Sequence, residues 1–137
     1  WASKLLIGWI ESLGKRSASV LEGTPFPKPR SLASGLAHIR GVVSAGQQAG
    51  EGWLLTAEMM ESLENGIPNV VCLQPFGCLP NHITGKGVMR TLRERFPEAN
   101  LCAIDFEAGT SRANVSNRLK LFLRQAKEHF EKENGKP

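Results

Sequence analysis

The sequence has no tyrosine, little cysteine and no long apolar run, and each shortage excludes something. Aromatic residues amount to Trp 3, Phe 6 and Tyr 0, and none alternates with basic residues. A stacking platform for single-stranded nucleic acid is therefore excluded. No stretch approaches the ~18 consecutive apolar residues of a membrane-spanning helix, and no signal-peptide pattern is read at the start. Cysteine is present as Cys 3, an odd number that argues against a disulfide scaffold. Charge of one sign is not dominant: Lys+Arg 17 against Asp+Glu 13 leaves +4. The densest basic cluster, Arg90, Arg93 and Arg95, is interleaved with Glu94 and Glu98 and reads as a solvated helix face. Neither nucleic acid nor membrane is expected as a partner, and a cytoplasmic location is expected. What is present is globular in character, with 41% hydrophobic and 22% charged residues in 137 positions, enough for one domain. Because the chain begins at Trp1, it is expected to be a piece of a longer protein.

The apolar periodicity sets out the elements. Leu5, Leu6, Trp9, Ile10 and Leu13 recur at helical spacing, with Gly14 expected as the cap. Pro25, Pro27 and Pro29 then exclude regular structure, so residues 1–30 read as a helix and a proline-rich linker. An α/β domain is expected over 31–130, and a frayed polar tail over 131–137. Within the domain, Leu32 to Ile39 predicts a short helix and Gly41 to Ser44 a weak strand. A helix with Leu54, Leu55, Met59, Met60 and Leu63 on one side is expected to stop at Asn65-Gly66. Asn69 to Leu73 and Leu101 to Ile104 are continuous apolar runs, as in strands buried on both faces. Between them Val88, Met89, Leu92 and Phe96 form an amphipathic helix ended by Pro97. The last helix starts near Thr110-Ser111 and uses Val115, Leu119, Phe122, Leu123, Ala126 and Phe130. The order predicts an α/β fold: a small parallel sheet with helices on both faces, in the Rossmann-like three-layer manner.

Chemistry in such sheets sits beyond the carboxyl ends of the strands. The segment Gln74 to Gly87 occupies that place, and it is longer than the about two to six residues that close an ordinary βα unit. It fails as a Walker loop, because seven residues separate Gly77 from Gly85 and Gly87 stands where a hydroxyl is needed. It fails as a dinucleotide fingerprint, because Arg90 replaces the third glycine. Gly85, Lys86 and Gly87 remain a candidate anion seat at a helix start. Cys72 and Cys102 lie within strands and read as core. Cys78 is free to face outward from the loop, and residues alone favour a plain loop cysteine. Cys78 with His82 is also readable as a nucleophile pair, with Asp105 as orienter. His38 and His129 sit in surface-like helical contexts, and Asn114-Val115-Ser116 carries no weight as a glycosylation acceptor without a secretory signal.

Gly50-Glu51-Gly52-Trp53-Leu54-Leu55-Thr56-Ala57-Glu58-Met59, followed by Pro68-Asn69-Val70-Val71-Cys72-Leu73-Gln74-Pro75-Phe76-Gly77-Cys78-Leu79-Pro80-Asn81-His82, resembles the C-terminal region of a family of large bacterial proteins. These are the acyl-CoA dehydratase activase-related, or CoA-substrate-specific enzyme activase, proteins. Gly85-Lys86-Gly87, Ile104-Asp105 and Asn117-Arg118 continue the resemblance, which runs from about Val42 to Leu123. The family joins an ATPase module to a region similar to 2-hydroxyacyl-CoA dehydratase subunits. It uses ATP hydrolysis to drive one low-potential electron through iron–sulfur clusters onto a dehydratase. The resemblance implies that this α/β domain is part of a larger dehydratase-like fold. It also implies Cys78 as a ligand of a [4Fe–4S] cluster in the full-length protein, with none held by this chain alone. Gln74, Asn81, His82 and Asp105 are then the supporting residues of the loop. The implied partners are a CoA-ester dehydratase or other domains of the parent chain. No complete active site is expected in these residues. The competing expectation is a cofactor-free structural or partner-docking module, and a third is a CoA-phosphate site at Gly85–Gly87.

Overall fold

The computed structural model describes residues 1–26, 28 and 31–135. Pro27 and Pro29 of the linker, and Lys136 and Pro137 of the tail, lie outside the described residues. The chain divides into two units, Trp1–Ala37 and His38–Pro137, so the boundary falls later than residue 30.

The first unit is dominated by helix α1, Ala2–Val20, which has no buried residue. The cap expected at Gly14 is not there, and α1 runs through it. An exposed glycine costs a helix only about 1 kcal/mol relative to alanine, too little to end one whose flanks are regular. The helix closes where the Leu21 N–H returns to the Ala18 carbonyl and the Glu22 N–H to the Ser19 carbonyl. Helix α2, Leu32–His38, begins in this unit.

In the second unit the strand expected over Gly41–Ser44 is replaced by turns. Gly41 takes a left-handed φ of 77°. The N–H groups of Val42 and Val43 then both return to the Ile39 carbonyl, at 3.0 and 3.2 Å. Helix α3, Trp53–Glu64, starts from Gly52, whose φ is 50°. A Cβ there would lie 2.0 Å from the Gln47 carbonyl oxygen, so only glycine fits this entry. Strands β1, Asn69–Pro75, and β2, Asn100–Phe106, pair in parallel from Asn69↔Asn100 to Pro75↔Phe106. Helix α4, Met89–Arg95, lies in the connection between them, and α5, Arg112–Asn134, follows β2. The chain is thus mixed helix and strand around a small, two-stranded parallel sheet.

The core joins Met59, Met60 and Leu63 of α3 with Cys72 of β1, Leu101 and Ala103 of β2, and Met89 and Leu92 of α4. Full burial of a side chain such as Met60 or Leu92 is worth roughly 1.5–3 kcal/mol. Helix α5 is capped by Ser111, whose hydroxyl accepts from the Asn114 N–H at 3.4 Å. It buries Phe122, and buried Asn100 donates from Nδ2 to the Phe122 carbonyl and to Asn69 Oδ1, each at 3.0 Å. Two residues expected on its apolar side are exposed, Leu123 at 62% and Phe130 at 66%. A helix of 23 residues outruns strands of seven, and a two-stranded sheet leaves its flanks uncovered. The tail expected to fray from Glu131 instead continues α5 to Asn134.

Candidate functional site

Parallel register builds the site. It sets Gln74, near the end of β1, opposite Asp105 on β2. Gln74 Nε2 donates a short hydrogen bond to Asp105 Oδ1, and Lys86 Nζ reaches Asp105 Oδ2 at 3.2 Å. Burial pushes the Asp105 carboxyl up. The hydrogen bonds from Lys86 and Gln74, with the positive charge of Lys86 and His82, outweigh it and hold the carboxyl below its usual range. Gln74 is buried and its Oε1 has no partner among the described residues.

The segment read as a loop from Gln74 to Gly87 is largely ordered. Gln74 and Pro75 belong to β1. Phe76 donates to the Phe106 carbonyl at 2.8 Å, and Gly77 turns the chain with φ 74°. A π-helical turn, Asn81–Gly85, and a 3₁₀ turn, Lys86–Val88, lead into α4. Single π-turns within helical segments are frequent at functional sites. Two buried threonines hold this one to α3. Thr56 Oγ1 donates to the Thr84 carbonyl at 2.6 Å, and Thr84 Oγ1 meets the Gly52 and Pro80 carbonyls at 2.6 and 2.8 Å.

Cys78 is half-buried at the head of this turn, and Asn81 Nδ2 donates to its Sγ at 3.0 Å. Asn81 is itself buried, with Oδ1 unpartnered among the described residues. His82 Nδ1 meets the Cys78 carbonyl oxygen at 3.0 Å, so the ring addresses the backbone rather than the thiol. With Asp105 engaged by Gln74 and Lys86, the readable nucleophile pair and its orienter are not assembled. The anion seat at Gly85–Gly87 is also already used by the backbone, because the N–H groups that close the π turn at Lys86 go to the Asn81 and His82 carbonyls. These glycines serve close packing: a Cβ on Gly87 would stand 2.8 Å from the His82 oxygen, and one on Gly85 3.0 Å from Cys72 Sγ.

The three cysteines differ. Cys72 is buried, and burial followed by the charge of Asp105 pushes its thiol up. Cys102, read as core, is only half-buried, on a strand that has no further strand beside it among the described residues. His38, read as carrying no role, pairs with Glu64, which Arg95 also approaches at 3.7 Å. Thr56, Thr84 and Asn100 are the residues that sequence reasoning missed. Among the described residues, no group of three or more His, Cys, Asp or Glu is placed to hold a metal ion, and no helix is long and apolar enough to cross a membrane. Comparison with protein-family models, curated proteins and solved structures finds no match.

Proposed function

We propose that this chain is a domain of a CoA-substrate-specific enzyme activase-type protein. In this reading it serves ATP-driven, iron–sulfur-linked electron transfer to a CoA-ester dehydratase in the cytoplasm. Its sheet is then one part of a Rossmann-like three-layer unit within a larger dehydratase-like fold. The observation that carries the reading is the environment of Cys78. The thiol stands at the carboxyl end of a parallel strand and accepts a hydrogen bond from Asn81 Nδ2 at 3.0 Å.

The donor set fits one corner of a cluster. A [4Fe–4S] centre takes thiolates at its irons, and the described residues supply one suitably placed thiol, Cys78, so the other ligands belong to other parts of the protein or to a partner. When bound, such a cluster supplies one-electron transfer at low potential. Cys78 would hold it, and Asn81 Nδ2 would donate to the ligand sulfur, an interaction that tunes potential. The Thr56–Thr84 clasp fixes the turn that carries Asn81. Lys86 and Asp105 form a neutral pair beside the turn.

Anaerobic iron–sulfide reconstitution of the full-length protein tests this, with wild type beside Cys78→Ala and Asn81→Ala. The expected result is loss of cluster absorbance and iron in Cys78→Ala, with a shifted potential in Asn81→Ala. Equal cluster content in wild type and Cys78→Ala overturns the ligand role.

A further inference from the structure

The backbone of β2 offers a second surface, remote in purpose from the strand-end turn. The Asn100 N–H bonds to the Pro68 carbonyl, and the Phe106 carbonyl accepts from the Phe76 N–H, both at 2.8 Å. Backbone groups of successive residues point to alternate sides of a strand. Asn100, Cys102, Ile104 and Phe106 therefore address β1, while Leu101, Ala103 and Asp105 address the opposite edge. No strand pairs with that edge among the described residues.

The edge forms the floor of a groove of about 430 Å³ between α4 and α5. Lys86, Arg90, Arg93 and Arg118 line it, and no carboxylate does. Arg93 already caps the Leu101 carbonyl at 2.7 Å, leaving the Ala103 N–H and carbonyl as the next rung. Arg90 reaches Glu94 and Lys86 reaches Asp105, whereas Arg118 has no ion-pair partner among the described residues. All-parallel sheets are ordinarily covered, and an open edge is a template for a further strand. The cations decide which strand. They repel the same edge of a second copy and complement a segment bearing carboxylates.

We propose that the open edge of β2 is a docking groove that takes an extended, acidic segment of a partner protein as a third strand. Main-chain bonds to Ala103 would give affinity, and carboxylates opposite Arg90 and Arg118 would give register and selectivity. The proposal does not depend on Cys78, which lies outside the groove, so either reading can fail alone.

The probe is a fluorescently labelled hexapeptide of alternating valine and glutamate, titrated into the 137-residue chain, with a valine–lysine peptide as control. The acidic peptide is expected to bind, and the Ala103 amide to become protected from hydrogen exchange. Arg90→Glu combined with Arg118→Glu is expected to weaken binding by roughly tenfold or more. Both positions are exposed, so the fold is retained; Ala103→Pro, which removes the outward N–H, is expected to abolish binding. No binding overturns the proposal. So does equal competition by inorganic pyrophosphate with the Ala103 amide unprotected, which would make the groove a simple anion site.

Discussion

Asp105 carries the clearest electrostatic consequence of the site. Its carboxyl is held below the usual range in the folded chain, so folding favours its ionised form. The resulting stabilisation is present above the unfolded carboxylate value of about 3.9 and is lost as pH falls through the folded value. A carbon-detected NMR titration should therefore place the Asp105 midpoint below about 3.9, and Lys86→Met should move it upward. An unmoved midpoint would contradict the role given to Lys86. Both residues of the Gln74–Asp105 contact were singled out in the sequence, Gln74 at the start of the long segment after one strand and Asp105 just after the apolar run of the other. Their contact was not, because it follows from a register that pairs Gln74 with Asp105 across 31 residues. The same holds for Thr84. A threonine in a glycine- and proline-rich stretch carries no sign that its hydroxyl will be buried against two carbonyls.

Among the elements, the continuous apolar runs were sufficient to locate β1 and β2, since buried parallel strands leave little choice of residue, and the amphipathic spacing of Val88, Met89, Leu92 and Phe96 located α4 between them. The segment from Asn81 to Val88 was not readable as helical turns. Its order comes from tertiary bonds to α3 and not from periodicity. That dependence predicts the effect of Thr84→Val, which keeps volume but strands the carbonyls of Gly52 and Pro80. Urea unfolding should report a loss of about 1–3 kcal/mol with the denaturant slope unchanged. A loss below about 0.5 kcal/mol, the ordinary range of surface substitutions, would count against the clasp. The misread strand at Gly41–Ser44 has the opposite cause. Two valines favour extended backbone, but Gly41 supplies the positive φ that turns the chain first.

Across the whole molecule, order is unevenly distributed. Helix α1 has no buried residue, whereas Met60, Leu92 and Ile104 of the second unit are at 0, 0 and 1% exposure. Native-state hydrogen exchange should accordingly find the slowest amides in the β1–β2 ladder and in α3, and fast exchange along α1. Comparable protection in α1 and β2 would contradict this. One consequence of the ladder reaches into folding kinetics. All seven rungs join residues 31 positions apart, so the first rung bears the closure entropy for its successors. The connection it must close contains the threonine-pinned turn and α4, and order gained there shortens the effective loop. Lesions in that turn should thus slow the folding arm of a chevron as well as hasten unfolding, making the strand-end turn a determinant of how quickly the chain finds its sheet.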